Sequence, residues 1–417
     1  MLLNHPRALR LMQKHGLDAL VATSPENVMY ASDYECSTHW LNKGAQVYAG
    51  LTPSATPGAF IVAPLLELEA LVDGDGSWID DVWVLGAFKR GPAPRESMDA
   101  VGQKGFDLAQ RAHKAETAVD ALVGALTQRG LERARIGLDE TGMSAPIWAE
   151  IVRRLPNATV VPASTVWWEI RMVKTPEELR RLRLASEIAE QAMNAAFGLC
   201  KPGASEADVV REYHLQLAAR GARPTFAMFG SGSRTGYPHI LESSKTLEAG
   251  DLIRYDTGCT YRYYHSDTAR ATVIGKPTDA HRRIWDVMVA GEEAGIAKVR
   301  AGAQPRDVHA AAMKPGLDLG LAEFARFHCG HGIGISVYDP PLMTAADPTR
   351  SIFLMPGVDD GLEEGMVINI EVGYYLQGVA GFLCEDTMVV RGDGCELLTR
   401  NSKALAFDDY MRENARA

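Results

Sequence analysis

Two aspartates stand inside strand-like sequence, where this residue type is depleted. Asp256 and Asp267 lie eleven positions apart in IRYDTGCTYRYYHSDTARA, residues 253–271. Two glutamates repeat the arrangement further along, with Glu371 in NIEVGYY and Glu385 in CEDTMVV. If each pair lies on adjacent antiparallel strands, a cross-strand spacing of roughly 5 Å brings its two carboxylates together. The simpler interpretation, in which one aspartate caps a turn and the other faces water, stays open from this pattern alone.

Four carboxylates that converge between two hairpins repel one another, so they must take up protons or bind cations. A pair of divalent metal ions removes this repulsion, because shared carboxylates hold two such ions roughly 3.5–4 Å apart. A neutral imidazole usually joins such a set, and the best candidate is His331 in FHCGHGIGISVYDPP. The glycines around His331 let the backbone approach a neighbour closely. The pattern therefore favours a dinuclear metal site over solvated or capping carboxylates.

An internal repeat places these residues on equivalent elements. KPGASEADVV (201–210) resembles RAGAQPRDVH (300–309), and GDLIRYDTG (250–258) aligns with GMVINIEVG (365–373), matching Asp256 to Glu371. Two matches in the same order indicate a duplicated helix–helix–hairpin unit, in which each copy buries its apolar face on the other. Before the first copy, Thr175, Pro176 and Glu178 form the signature of a capped helix start.

The first part of the chain has a different pattern. Short strand-like runs at 18–24, 58–63 and 80–86 alternate with helical sequence, including an amphipathic helix predicted over 108–130 and closed by Gly130. This alternation is typical of an α/β domain. We therefore predict an amino-terminal α/β domain over residues 1–165 and a catalytic domain over residues 166–417, and the chain as a whole belongs to the α/β (α+β) class.

Composition limits the partners of the protein. The 417 residues carry a net charge of −10, which argues against binding to nucleic acid or to anionic membranes. We find no apolar run near the roughly 20 residues that span a bilayer, and the start MLLNHPRALRLMQKHG reads as a helix and not as a signal peptide. Six scattered cysteines without a C-x-x-C pair fit a reducing cytoplasm and small buried thiols. A cytoplasmic protein with a small-molecule or short-peptide substrate is expected.

These motifs resemble the pita-bread metallopeptidase family, in the branch of creatinase, prolidase and Xaa-Pro aminopeptidase. YDTG…SDTAR, GHGIGISVYDPP, NIEVGYY and CEDTMVV occur in family order, and KHGLDALVATSPENVMYASDY resembles the amino-terminal domain of the same branch. The resemblance implies a pita-bread domain with a pseudo-two-fold duplication, two divalent ions (manganese, cobalt, zinc or iron) and a homodimer. It also implies a set of metal ligands: Asp256 on one ion, Asp267 and Glu385 bridging both, and His331 and Glu371 on the second.

The resemblance further implies catalytic roles. Glu371 corresponds to the proton shuttle of the family, which takes a proton from water and passes it to the leaving amine. His239 in GYPHI matches a Pro-His motif, and we expect it to bind substrate and donate a hydrogen bond to the tetrahedral oxyanion. His328, three residues before His331, is expected to pack beside the ligands without joining them.

Two positions depart from the family pattern. Tyr338, in VYDPP, replaces a histidine that contacts the scissile bond, so the substrate meets a hydrogen-bond donor that does not shuttle protons near neutral pH. Leu383 replaces an arginine and removes an anchor for carboxylate contacts. We expect a hydrolase of an amide or peptide bond, most simply an Xaa-Pro dipeptidase or aminopeptidase. The alternatives are a hydrolase of a small non-peptide amide or amidine, as creatinase and ectoine hydrolase are, a metal-dependent lyase, and a catalytically inactive binding module.

Overall fold

The computed structural model of the protein describes residues 1–42, 44, 46–54, 58–74, 76–88, 91, 93–321, 324, 326–350, 355–358 and 360–415. Contacts within the chain define two compact units, Met1–Arg171 and Met172–Ala417. Both contain helices and a β-sheet, as the predicted α/β (α+β) class requires. As an assignment of domains, the division after residue 165 stays a prediction.

The first unit contains a mixed sheet of seven strands with helices packed on it. In the order of the sheet, the strands are β5 (His113–Ala115), β4 (Val82–Leu85), β3 (Ala59–Pro64), β2 (Tyr48–Leu51), β1 (Ala19–Ala22), β6 (Arg135–Leu138) and β7 (Thr159–Pro162). The helices are α1 (His5–Lys14), α2 (Pro25–Ser32), α3 (Ser37–Leu41), α4 (Ala100–Arg111), α5 (Ala118–Gln128), α6 (Ala145–Arg154) and α7 (Ser164–Met172).

The predicted strands at 18–24, 58–63 and 80–86 are confirmed as β1, β3 and β4. The single helix predicted over 108–130 is wrong, because α4 ends at Arg111 and β5 pairs with β4 before α5 begins. A helix start was overlooked inside that stretch. Thr117 accepts a hydrogen bond from the backbone N–H of Asp120 and caps α5. Gly130 follows α5 with a φ of 69°, as a helix end requires.

The second unit contains a larger sheet whose pairings, among the described residues, are antiparallel. Its main path runs β10-β9-β11-β15-β14-β12-β13, with β8 beside β9 and β16 beside β15. The strands are β8 (Arg223–Ser231), β9 (Leu252–Tyr261), β10 (Tyr264–His265), β11 (Thr268–Val273), β12 (His331–Gly332), β13 (Asp339–Leu342), β14 (Val367–Leu376), β15 (Ala380–Val390) and β16 (Cys395–Leu397). The helices are α8 (Pro176–Phe197), α9 (Glu206–Ala219), α10 (Asp279–Ile296), α11 (Pro305–Asp318) and α12 (Phe407–Asn414).

The predicted duplication is present in the order of these elements. Helices α8 and α9 precede the hairpin of β9 and β11, and α10 and α11 precede the hairpin of β14 and β15. The start of α8 is the predicted capping box: the Glu178 backbone N–H donates to Thr175 Oγ1 at 3.3 Å, and the Thr175 N–H donates to Glu178 Oε2 at 2.8 Å. None of the helices in the described parts of the chain combines the length and apolar character needed to cross a membrane.

Alternation along the strands separates a core face from a polar face. On β14, Ile368 and Ile370 pack into a core with helix residues such as Met288 and Val308. On β9, Ile253 and Tyr255 pack into a second core with helix residues that include Ala185 and Ala189. Successive side chains of a strand point to opposite faces of a sheet, so the neighbours of Tyr255 and Ile370 along their strands lie on the face away from the helices. Asp256 and Glu371 are two of them.

Candidate metal centre

Strand register places three carboxylates in one row. Glu371 on β14 lies directly opposite Glu385 on β15, and Glu385 lies opposite Ala269 on β11. Ala269 in turn lies opposite Asp256 on β9. Directly opposed residues point to the same face of a sheet, so the row crosses four neighbouring strands with its acidic side chains on one face. The methyl side chain of Ala269 leaves space between the acidic residues on either side.

Asp267 joins the row from an adjacent position. It lies two residues before Ala269 and is therefore diagonal to Asp256, where the sequence pattern predicted a direct cross-strand pair. The candidate ligand atoms of Asp267, His331 and Glu385 all lie within 4.8 Å of one another, and the three side chains are buried. His331 Nε2 is 3.6 Å from Asp267 Oδ2. Asp267 Oδ1 is buried and has no hydrogen-bond partner among the described residues.

The backbone around His331 fixes its position and tautomer. Gly330 has a φ of +143°, and a Cβ there would lie 2.1 Å from the carbonyl oxygen of Asn369 on the neighbouring strand. Only glycine fits this conformation and this close approach. His331 Nδ1 is 2.9 Å from the carbonyl oxygen of Gly332, which can only accept a hydrogen bond. Nδ1 therefore carries the proton, and Nε2 presents its lone pair to Asp267 and Glu385.

Burial and mutual repulsion determine the charges of this cluster. Burial, with the nearby Glu371 carboxylate, raises the pKa of Asp256 to about 7. Burial and the neighbouring carboxylates raise the pKa values of Asp267 and Glu385 well above those of ordinary acidic residues. Burial also lowers the pKa of His331 to about 4 and keeps its imidazole neutral. A raised pKa means that the ionised form of these carboxylates is destabilised in the metal-free protein. A divalent cation therefore stabilises that ionised form more than it would for an ordinary acidic residue.

The pKa of Glu371 is lowered, unlike those of the other three carboxylates, because Glu371 has a cationic neighbour and two imidazole neighbours. Burial pushes its pKa upward, but Arg326, with His328 and His331, outweighs burial and lowers the pKa. Arg326 Nη2 donates a hydrogen bond to Glu371 Oε2 at 2.9 Å, and His328 Nδ1 lies 3.3 Å from Glu371 Oε1. His328 thus contacts a candidate ligand. The role of Arg326 was missed, because it lies in irregular chain 45 positions from its partner.

The remaining predicted site residues line a common cavity of about 620 Å³ with the acidic cluster. Tyr338 stacks on the ring of His331, with centroids 3.7 Å apart and planes inclined by 22°. His239 is exposed and lines the same cavity. Leu383 is buried on β15, two positions from Glu385. Apolar residues complete the wall: Phe226, Met228, Phe327 and Val337.

The donor set fits divalent cations. Carboxylate oxygens and one imidazole nitrogen suit ions such as manganese, cobalt, iron or zinc, and the unpartnered oxygen of Asp267 is a further available ligand. Burial raises the pKa values of the Cys329 and Cys384 thiols, and the group of candidate ligands found among the described residues consists of two carboxylates and an imidazole. The cavity therefore places a donor set suited to divalent cations beside an apolar wall.

Comparisons with known proteins identify related families and proteins for both parts of the chain. The model of metallopeptidase family M24 matches residues 180–392, and the model of the creatinase/prolidase N-terminal domain matches residues 5–173. The chain is 33% identical over 239 residues to an Xaa-Pro dipeptidase of Lactobacillus delbrueckii subsp. lactis, covering 57% of this chain and 62% of that protein. It is 31% identical over 293 residues to an uncharacterised hydrolase/peptidase of Sinorhizobium fredii, covering 69% and 72% of the two chains.

The fold is similar to that of solved prolidases. The prolidase from Pyrococcus horikoshii OT3 superposes with a TM-score of 0.74 at 23% identity, over 96% of this chain and 99% of that one. At this level of identity the likeness is one of fold. The dipeptidase alignment above spans less than two thirds of the relative's own length.

Proposed function

This chain belongs to metallopeptidase family M24, in its creatinase and prolidase branch, and is a metal-dependent hydrolase of the peptidase class; from that premise we propose that it binds two divalent cations and cleaves the C–N bond of a short Xaa-Pro peptide. The observation that carries the proposal is the convergence of Asp267, His331 and Glu385 beside a cavity that Asp256 and Glu371 also line. Xaa-Pro dipeptidases are among its relatives.

In this proposal the acidic residues and His331 hold the ions. Asp256, Asp267, Glu371 and Glu385, with His331, would hold the two ions. Bound there, divalent cations would supply Lewis acidity and would make a water molecule nucleophilic near neutral pH. The neutral imidazole of His331, with its Nε2 lone pair directed at Asp267, suits this role.

The protein's own residues then move protons and stabilise charge. Glu371 accepts a proton from the attacking water and passes it to the leaving amine. Arg326 keeps the Glu371 carboxylate ionised, so that the carboxylate is ready to accept this proton and releases it readily. His239, at the wall of the cavity, donates a hydrogen bond to the oxyanion. Tyr338, stacked on His331, presents a neutral hydroxyl, because burial raises its pKa.

Two observations favour a second candidate, a hydrolase of a small non-peptide amide or amidine. Tyr338 stands where prolidases carry a histidine that contacts the scissile bond, and burial keeps its hydroxyl from exchanging protons near neutral pH. Leu383 is a buried aliphatic side chain where prolidases carry arginine. Both changes alter the contacts to the substrate and leave the ligand set intact.

A substrate panel separates the two candidates. The full-length protein is loaded with manganese and incubated with Xaa-Pro dipeptides, matched Xaa-Ala dipeptides, creatine-like compounds and cyclic amidines. We expect turnover of Xaa-Pro dipeptides that stops after chelation and returns on adding divalent ions. Turnover confined to creatine-like or cyclic amidine compounds would support the second candidate and defeat the first. Elemental analysis of the same preparation gives the number of bound ions.

The homodimer and the cytoplasmic location stay predictions. Sedimentation of the purified protein measures the first, since the mass of one chain is 45.3 kDa.

A further inference from the structure

One buried amide lies at the centre of the candidate metal site and has no assigned role. Asn369 is on β14, two positions before Glu371 and on the same face, and it is fully buried. Its side chain contacts three of the proposed ligands. Asn369 Nδ2 is 2.6 Å from Glu385 Oε1, 3.0 Å from His331 Nε2 and 3.5 Å from Asp267 Oδ2.

The orientation of this amide is fixed by its other end. Asn369 Oδ1 accepts a hydrogen bond from the backbone N–H of His331 at 2.7 Å. A flipped amide would place its NH₂ group against that N–H, donor against donor, so the carbonyl must face the backbone of His331 and the NH₂ group must face the ligands. The lone pair on His331 Nε2 and the oxygens of Glu385 and Asp267 are all acceptors, which agrees with this orientation.

We propose that Asn369 is a positioning residue that joins His331 to Glu385 through the two ends of one amide and so sets the geometry of the metal centre. This inference rests on the proposed function, because it concerns the ligands assigned there. The NH₂ group holds His331 Nε2 and Glu385 Oε1 close together, and it would give up those hydrogen bonds to a bound cation. The bond from His331 N–H to Asn369 Oδ1 involves no ligand atom, and it keeps the imidazole in place in both states.

The amide also acts on the His331 backbone, which distinguishes this role from simple competition with the metal. Residues that orient metal ligands typically change metal affinity by about 10–100-fold when they are removed. We therefore expect removal of the amide to weaken metal binding, because it frees the His331 backbone as well as the side chains of His331 and Glu385.

Metal affinity tests the inference without using the reaction. Full-length metal-stripped protein is titrated with Mn²⁺ by calorimetry, and we expect the Kd of Asn369→Ala to be about 10–100-fold higher than that of the wild type. The matched control is Asn27→Ala, which removes another buried, hydrogen-bonded amide from the first unit and should leave the Kd unchanged. Unchanged or tighter binding in Asn369→Ala overturns the inference. A wild-type protein that binds no Mn²⁺ overturns the proposed function instead.

A second variant covers the case in which Asn369→Ala does not fold. Asn369→Asp keeps an oxygen that accepts from His331 N–H but replaces the NH₂ group by an anion beside Glu385 and Asp267. We expect the metal-stripped variant to melt at a lower temperature than the metal-stripped wild type and to gain more from Mn²⁺, because the cation then neutralises one more charge. A metal-induced rise in Tm equal to that of the wild type contradicts the placement of the NH₂ group against the ligands.

Discussion

Replacing Arg326 by methionine should tighten metal binding. The guanidinium of Arg326 donates to Glu371 Oε2 at 2.9 Å, and the two side chains are only 25% and 10% exposed. A hydrogen bond to a charged group contributes about 1.5–3 kcal/mol. In the metal-stripped wild type this bond partly neutralises Glu371, and a metal ion must compete with it for the same carboxylate. Methionine fills similar space without the charge, so the competition disappears.

The magnitude follows from that competition. At about 1.4 kcal/mol for each tenfold change, loss of the bond strengthens metal binding by roughly 10–150-fold. The metal-stripped variant is less stable for the same reason, because Glu371 stays buried without its cation. Competition between the protein and a chromophoric chelator for Mn²⁺ measures the affinity directly, and urea unfolding of the stripped protein measures the stability.

Two further variants make the test specific. Arg326→Lys keeps the positive charge and should bind Mn²⁺ with an affinity close to that of the wild type. In Glu371→Gln the carboxylate is gone, so adding Arg326→Met to that variant should change the Kd little. If Arg326→Met alone binds Mn²⁺ no more tightly than the wild type does, the guanidinium is not a competitor for Glu371 and the electrostatic reasoning is refuted.

Three other predictions concern turnover and stability. Glu371→Gln should lower kcat by about 10²–10⁴-fold while elemental analysis still finds bound metal, and a wild-type rate would remove its role as proton shuttle. Tyr338→His should keep the metal but change the ratio of kcat/KM between Xaa-Pro dipeptides and cyclic amidines, because imidazole exchanges protons near neutral pH; an unchanged ratio would mean that this position does not select the substrate. Gly330→Ala should destabilise the protein by about 3 kcal/mol or more in urea unfolding, since its Cβ would meet the Asn369 carbonyl at 2.1 Å with φ at +143°. Gly394→Ala is the control, because among the described residues only its own chain neighbours lie within 4 Å of the added Cβ; it should be nearly neutral, and equal losses in both variants would contradict the steric argument.

Local sequence patterns determined the order of elements that carry the site. Strand-like apolar runs predicted the strands of the two hairpins. Asp256 and Glu371 stood out because acidic residues are depleted in strands. The repeat of glycine, apolar residues and one acid predicted the duplication. The capping box at Thr175 and Glu178 was readable because it depends on residues three positions apart.

The same local rules failed where competing signals were close together. The stretch 108–130 has helical periodicity throughout, yet Thr117 caps a new helix and His113–Ala115 pair with β4. Pairing with a neighbouring strand is a tertiary interaction, and the hydrophobic period alone does not report it.

Contacts between distant segments of the chain decided how the carboxylates align and which residues surround them, neither of which the motifs specify. The row that aligns Asp256, Glu385 and Glu371 depends on strand register across four strands, which is a property of the assembled sheet. Arg326 reaches Glu371 from irregular chain, and the amide of Asn369 lies among the ligands only because β12 packs beside β14. The sequence by itself determined which residues are candidate metal ligands and on which elements they lie, because both follow from short-range spacing. Only the tertiary structure decided which neutral and cationic neighbours surround them, because those partners come from chain segments whose separation no local pattern encodes.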